Sequence, residues 1–162
     1  MTVKNAIFLV AVAASPSLSL GAVSSSNIEG TWACDPYTMN GKGLTIAVVE
    51  QHTYGNGGSY SELSTSTIKS GGGGTVIAKS GLSGSWLLAN DVIELKFTSG
   101  QFLSSSNPNY TLEMGQHALD LQLQKKNWSK MKVLEFHKRL VTTPVDPMYK
   151  EAKVLVTCHR TN

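Results

Sequence analysis

Two cysteines lie at opposite ends of the chain, and the sequence contains no others. Cys34 closes the segment Gly30-Thr31-Trp32-Ala33-Cys34, and Cys158 closes the alternating run of residues 152–158. In an exported protein, two cysteines are most simply explained by a disulfide. A Cys34–Cys158 bridge would connect the first strand to the last and enclose nearly everything between them. The sequence therefore predicts a fold in which these two strands are neighbours.

The first 22 residues have the three parts of a secretory signal. Lys4 supplies the positive charge, residues 6–14 form an apolar run, and Ser19-Leu20-Gly21-Ala22 form a small-residue cleavage zone. The apolar run is shorter than the roughly 20 residues that span a bilayer. Pro16 argues against the alternative of a buried N-terminal helix. We expect residues 1–22 to be a signal peptide and residues 23–162 a single domain with no membrane span, located in the periplasm or secreted.

The charge of the chain argues against nucleic acid as a partner. The net charge is +3, and it falls to +2 once Lys4 is removed with the signal. Basic residues are concentrated in the last third of the chain: Lys125, Lys126, Lys130, Lys132, Lys138, Arg139, Lys150, Lys153 and Arg160. Because apolar positions alternate with them, they are typical of the solvated face of strands, and an anionic partner surface is the alternative.

Apolar and polar residues alternate along most of the chain, which is the period of β-strands. Leu44, Ile46 and Val48 give one example, and Ile93, Leu95 and Phe97 give another. Turn sequences separate the strands: residues 55–58, 71–74 and 90–91. About eight short strands without intervening helices predict an all-β fold, either an antiparallel up-and-down β-barrel or a sandwich. The bridge between first and last strands favours the barrel, because closure makes those two strands neighbours and removes free sheet edges.

Three later segments are assigned by the same alternation. Residues 99–108 are expected to be a polar loop, and residues 110–114 a short strand. Residues 118–124 alternate three leucines with polar residues and predict a strand with Leu121 facing inward. Residues 131–140 fit either a strand or a helical stripe, and the neighbouring strands favour the strand.

Several of these segments together resemble the small bacterial lipocalin-like (calycin-type) β-barrel proteins. The resemblance rests on Gly30-Thr31-Trp32, on the turn at residues 57–60, and on Ser83-Gly84-Ser85-Trp86 followed by the turn and strand of residues 87–95. It implies a meandering barrel, closed here by the disulfide, with an internal apolar cavity. It implies no catalytic residue. Biotin-binding barrels also begin with Gly-x-Trp, but their pockets need more tryptophans than this chain contains.

Large side chains at inward positions are the candidates for lining the cavity or plugging the barrel. They are Trp32, Trp86, Tyr60, Phe97, Leu121 and Phe136. Core packing is the plain expectation for both tryptophans, and a cavity-lining role is the alternative. Tyr54, Tyr60 and Tyr110 could place hydroxyl groups at the cavity mouth.

No pattern in the sequence predicts catalysis, a cofactor or a metal site. The Ser-x-x-Lys pairs at residues 66–69 and 129–132 would face opposite sides of a strand, whereas that chemistry needs both on one helical turn. The four histidines lack metal-ligand spacing, and neither cysteine belongs to a Cys-x-x-Cys pair. We therefore expect a protein that is not an enzyme.

Two functions remain after this exclusion. One is a binding protein that holds a small apolar ligand inside the barrel. The other is a non-enzymatic interaction protein of the cell envelope, a hydrolase inhibitor or an assembly subunit, acting through loops or through the basic C-terminal third. An interior filled with side chains would exclude the first, and a cavity with a few polar groups would support it.

Overall fold

The computed structural model describes residues 23–41, 43–145 and 154–161. The segment expected to be a signal peptide lies outside these residues. The described chain contains two helices, α1 (Ser25–Ile28) and α2 (Leu112–Lys125), and nine strands. The strands are β1 (Gly30–Cys34), β2 (Tyr37–Gly41), β3 (Leu44–Tyr54), β4 (Ser59–Ser70), β5 (Thr75–Ala89), β6 (Val92–Ser105), β7 (Trp128–Phe136), β8 (Arg139–Pro144) and β9 (Val156–Arg160).

The strands form one antiparallel sheet whose hydrogen bonding closes into a ring. Consecutive strands from β2 to β9 pair as neighbours, β9 pairs with β1, and β1 pairs with β3. β1 and β2 lie along successive parts of β3, so together they occupy one position, and the ring has eight positions. The interruption falls at Asp35-Pro36, where proline has no N–H to donate to a ladder. The all-β, up-and-down antiparallel fold predicted from the alternation is confirmed.

The predicted disulfide is also present. Cys34 and Cys158 are directly opposed on β1 and β9, and their sulfur atoms are bonded. Cys34 is 6 % exposed and Cys158 is 3 % exposed, so the bond lies in the core. It joins positions 124 residues apart, at the same place where the hydrogen-bonded ring closes. The bridge and the strand pairing therefore reinforce the same contact.

The predicted turns connect the strands as expected. The glycines of residues 55–58 join β3 to β4, and residues 71–74 join β4 to β5. Asn90 and Asp91 join β5 to β6, and both have positive φ angles, of 50° and 58°. Such angles match the type I′ turn, the twist of which suits a two-residue hairpin. The ambiguous residues 131–140 lie in the hairpin of β7 and β8, where 131–136 and 139–140 are strand and 137–138 connect the two strands.

Residues 99–125 differ from the sequence-based assignment. β6 continues to Ser105, so most of the expected polar loop is strand. The strands expected at 110–114 and 118–124 are wrong, because residues 112–125 form α2. The Thr111 hydroxyl accepts a hydrogen bond from the Met114 N–H and caps the helix. Helix formers then fill the segment.

Helix α2 packs on the inner side of β6 through its small and branched residues. Gly115 lies against the ring of Phe102, close enough that a Cβ there would meet the ring at 2.2 Å. Leu119 and Leu123, one helical turn apart, lie against Gly100. Leu121 lies on another side of the helix and is 40 % exposed. The prediction that Leu121 faces the barrel interior is therefore wrong.

No helix in the described part of the chain combines enough length with enough apolar character to cross a membrane.

Candidate functional site

A cavity of about 270 Å³ lies inside the ring of strands. One part of its lining is apolar and includes Met39, Leu95, Phe97, Met131, Leu140 and Val156. The opposite part is polar: Tyr37, Glu50, His52, Tyr54 and Glu62. Gln122 and Lys126, at the end of α2, also reach it. Its volume is close to the lower end of known ligand pockets, which suits a small molecule.

The alternation of side chains along two adjacent strands, β3 and β4, places the polar groups on the inner face of the sheet. In β3 the inward series Leu44, Ile46 and Val48 continues at the same period into Glu50 and His52. In β4, which pairs with β3, Tyr60 and Glu62 lie on the same inner face. Tyr37 reaches the group from β2. Tyr37, Glu50, His52, Tyr60 and Glu62 are called the acid–tyrosine cluster below.

Hydrogen bonds connect the acid–tyrosine cluster into one chain. The Tyr37 hydroxyl donates to Glu50 Oε1 at 2.8 Å, and Glu50 Oε2 lies 3.2 Å from His52 Nε2. His52 Nδ1 lies 2.6 Å from the Tyr60 hydroxyl oxygen, and that hydroxyl donates to Glu62 Oε2 at 2.8 Å. The side chains of His52, Glu50 and Glu62 are 11 %, 13 % and 13 % exposed. Each of these nearly buried side chains thus has at least one hydrogen-bond partner within the cluster, as burial requires.

Two arrangements of protons satisfy this chain. When Glu50 and Glu62 are both carboxylates, the Tyr60 hydroxyl donates to Glu62, His52 Nδ1 donates to Tyr60 and Nε2 donates to Glu50, so the His52 ring is a cation. Moving one proton to Glu62 and reversing the Tyr60 hydroxyl leaves a neutral His52. With Glu50 as a carboxylate, both arrangements have one net negative charge. The acid–tyrosine cluster is therefore a relay in which a proton can be held at either end.

Burial and neighbouring charges shift the pKa values within this cluster. Burial, followed by the charge of Glu50, raises the pKa of Glu62. Burial acts to lower the pKa of His52, but its hydrogen bond to Glu50 and the charges of Glu62 and Glu50 outweigh it and raise that pKa. Burial and the same carboxylates raise the pKa of Tyr37, Tyr54 and Tyr60, so the three phenols stay protonated near neutral pH.

Of the predicted cavity residues, only Phe97 lines the cavity. Trp86 packs at the base of the ring, where its ring centroid is 5.2 Å from that of Tyr54, and its Nε1 donates to the Gly55 carbonyl. Tyr60 is 3 % exposed and acts through its hydroxyl in the cluster. Phe136 packs edge-on against Trp32, which is 1 % exposed. The structure thus gives both tryptophans the packing role.

The acid–tyrosine cluster was not foreseen from the sequence, although a signal for it was present. Extending the inward phase of Leu44, Ile46 and Val48 by the strand period places Glu50 and His52 inside. Tyr60-x-Glu62, just after the glycine turn, is the matching polar pair on the next strand. Tyr54 was considered only as a hydroxyl at the cavity mouth, and it lies buried beside this cluster at 4 % exposure.

A metal site would have to use groups that are already bonded. In the described ranges, one group of metal-binding residue types has ligand atoms close together, namely Cys34, His52 and Cys158, within 4.8 Å. The two sulfur atoms form the disulfide, so neither is available as a thiolate ligand. His159, next to Cys158, points to the outside, where its Nε2 lies 3.2 Å from Asp35.

A second hollow, of about 350 Å³, lies on the outer face of β5, β6 and β7. Leu87 and Trp128 line it and are 52 % and 41 % exposed. Two of its three charged residues form an ion pair, since Lys130 Nζ lies 2.6 Å from Glu94 Oε1, and Lys96 is the third. This surface is more open than the cavity inside the ring, so it is less suited to holding a small molecule.

Comparison with known proteins gave no relative whose function could be compared with this site. No family model matches the sequence, and the comparison with curated proteins found no match.

Proposed function

We propose that this chain is an exported binding protein that holds a small, largely apolar ligand in the cavity inside its ring of strands. The observation that carries the proposal is the cavity itself, of about 270 Å³, with an apolar lining on one side and the acid–tyrosine cluster on the other. Small-molecule sites usually combine a mostly apolar surface with a few fixed polar groups in this way. Membership of the lipocalin-like proteins and a periplasmic or secreted location are part of the proposal.

The disulfide supports export, because such bonds persist in oxidising compartments. The ordered cluster supports binding, because its polar groups are held in place before a ligand arrives. Preorganised groups lose little conformational freedom on binding, which favours affinity.

The alternative is an interaction protein that uses the basic C-terminal third. Three basic residues there already have partners within the chain. Lys130 is bound by Glu94, Arg139 makes two hydrogen bonds to Glu135, and Arg160 donates to the carbonyl oxygens of Asn27 and Glu29. This pairing is typical of a solvated sheet face, so we prefer the cavity as the functional site.

A binding assay with a neutral apolar reporter tests the proposal. N-phenyl-1-naphthylamine fluoresces when it enters an apolar site, and we expect it to bind the purified protein with one-to-one stoichiometry. Met131→Trp places a larger side chain in the cavity lining and should abolish the signal. Leu63→Trp is the matched control, because Leu63 is 57 % exposed and lines neither hollow.

Native mass spectrometry of protein purified from its own host provides the second readout. A discrete extra mass that is lost on denaturation would identify a natural ligand. If the reporter does not bind, or binds equally to the Met131→Trp variant with its fold intact by circular dichroism, the cavity is not the binding site and the proposal fails.

A further inference from the structure

One carboxylate oxygen in the cavity has no hydrogen-bond partner in the described part of the chain. Glu62 Oε2 accepts the hydrogen bond from Tyr60, whereas Glu62 Oε1 makes no hydrogen bond to any residue that the structure describes. No enclosed side-chain oxygen or nitrogen in the described chain lacks a partner, so Oε1 must be accessible. Glu62 lines the cavity, although its side chain is only 13 % exposed. A nearly buried carboxylate thus presents one free oxygen to the cavity.

The charges around this oxygen do not balance. Glu50 and Glu62 are two carboxylates, and His52 is the single cationic group among their hydrogen-bonded neighbours. Both oxygens of Glu50 have partners, because Oε1 accepts from Tyr37 and Oε2 lies against His52. Glu62 Oε1 is therefore the carboxylate oxygen of this cluster that is available to a ligand. An uncompensated carboxylate in a weakly polar interior is costly unless it gains a cation or a donor.

Lys126 is the other charged side chain that reaches the cavity. Its ammonium nitrogen lies over the ring of Trp128, 4.5 Å from the centroid. The charges that act on Glu62 are those of Glu50 and His52. Lys126 is therefore not among the charged groups that shift the pKa of Glu62.

We propose that the ligand of this cavity is a small organic cation, a protonated primary or secondary amine with an apolar body, and that its ammonium group binds Glu62 Oε1. This inference rests on the proposed function and specifies the ligand class. The ammonium group supplies the donor that Oε1 lacks and the positive charge that the two carboxylates lack. The apolar body lies against Leu95, Phe97 and Met131, on the opposite part of the lining.

A matched set of three probes tests the charge directly. 2-Phenylethylamine, 2-phenylethanol and 3-phenylpropanoate have similar apolar bodies and differ in the polar end, which is cationic, neutral or anionic at pH 7.5. We expect isothermal titration calorimetry to show the amine binding at least about tenfold more tightly than the alcohol, the gain expected from one charge-assisted hydrogen bond. The anion should bind more weakly than the alcohol.

Glu62→Gln keeps the shape of the side chain and its bond to Tyr60 but removes the charge. This substitution should reduce the preference for the amine over the alcohol to about twofold or less. Glu135→Gln is the control, because Glu135 pairs with Arg139 on the surface away from the cavity. That variant should keep the full preference.

The outcomes separate this inference from the proposed function. If the wild-type protein binds the amine and the alcohol equally, the cavity binds ligands but the cation inference is wrong. Tighter binding of 3-phenylpropanoate would overturn it as well. If neither the three probes nor N-phenyl-1-naphthylamine bind, both proposals fail. The wild-type comparison requires no variant to fold.

Discussion

Trp32 Nε1 donates a hydrogen bond of 2.7 Å to the carbonyl oxygen of Ile28, four residues earlier, and both residues are fully buried. This bond ties the short helix α1 to the first strand of the ring. The guanidinium of Arg160, on β9, covers the same indole at 4.7 Å from its ring centroid. Trp32 therefore connects the segment before the ring with the strand that closes it.

Replacing Trp32 by Phe should lower the free energy of unfolding by about 1–3 kcal/mol, because the buried Ile28 carbonyl would lose its donor. Urea unfolding measures the change. Trp128→Phe is the control, since Trp128 is 41 % exposed, and its effect should stay within about 0.5 kcal/mol. Equal effects of the two substitutions would show that the bond to Ile28 contributes nothing measurable.

Removing the disulfide by a Cys34→Ser, Cys158→Ser double substitution should destabilise the protein by up to about 4–5 kcal/mol, because the bond closes a very long loop. Calorimetry should show a melting temperature lower by roughly 10 °C. Reductant should lower the melting temperature of the wild-type protein but not that of the double variant. An unchanged melting temperature would mean that strand pairing alone closes the ring.

Gly84→Ala should cost about 1–3 kcal/mol or prevent folding, because a Cβ at this position would lie 2.0 Å from the carbonyl oxygen of Lys96 on the paired strand. The backbone of β6 would have to move. Gly72→Ala is a matched control in a turn, where nothing lies within 4 Å of the added Cβ. Denaturant titration of both variants tests the prediction, and a Gly84→Ala protein as stable as Gly72→Ala would contradict this packing.

Glu62→Gln should change how stability depends on pH. The pKa of Glu62 is raised above its ordinary value of 4.5, so its stabilising contribution is fully present below that value and is lost as pH rises through the folded-state pKa. His52, with a pKa raised above 6.5, acts in the same direction. Without ligand, the variant should therefore gain stability relative to the wild type as pH rises above 4.5.

Melting temperatures measured at several pH values test this difference. Glu135→Gln is again the control, because its side chain is 40 % exposed on the surface and the hydrogen bond from Arg139 lowers its pKa. A wild-type advantage that grew with pH would mean that the pKa of Glu62 is depressed, contrary to the burial observed here.

Thr111→Ala should destabilise the protein by about 1 kcal/mol, because α2 would lose the hydroxyl that accepts from the Met114 N–H. Thr111→Ser retains a hydroxyl and should be nearly neutral. Urea unfolding of both variants decides the matter. If serine and alanine are equally destabilising, the loss arises from the methyl group and not from the cap.

The sequence predicted the ring well because strand period and turn chemistry are local signals. Ile93, Leu95 and Phe97 alternate over a short distance, and the Asn90-Asp91 turn follows from residues that tolerate positive φ. The disulfide was predictable because the chain offers Cys34 only one partner. None of these inferences required knowledge of distant contacts.

Helix α2 was missed because its leucines satisfy two periods at once. Leu119, Leu121 and Leu123 alternate as in a strand, yet Leu119 and Leu123 are also one helical turn apart. The contact with Gly100 on β6 settles the choice, and only the folded structure contains that contact. The acid–tyrosine cluster was missed for a related reason, since pairing between β3 and β4 is what brings His52 to Tyr60.

The pairing of β1 with β9 has a consequence for how the chain could be rearranged. Arg160 reaches the carbonyl oxygens of Asn27 and Glu29, so the beginning of the ring and its last strand are in direct contact. A short linker from Thr161 to Val23, with new termini in the glycine turn at residues 71–74, would give a circular permutant in which every strand keeps its neighbours. The strand pairings are thus circular, and the natural chain order is one of several orders that would give the same pairings.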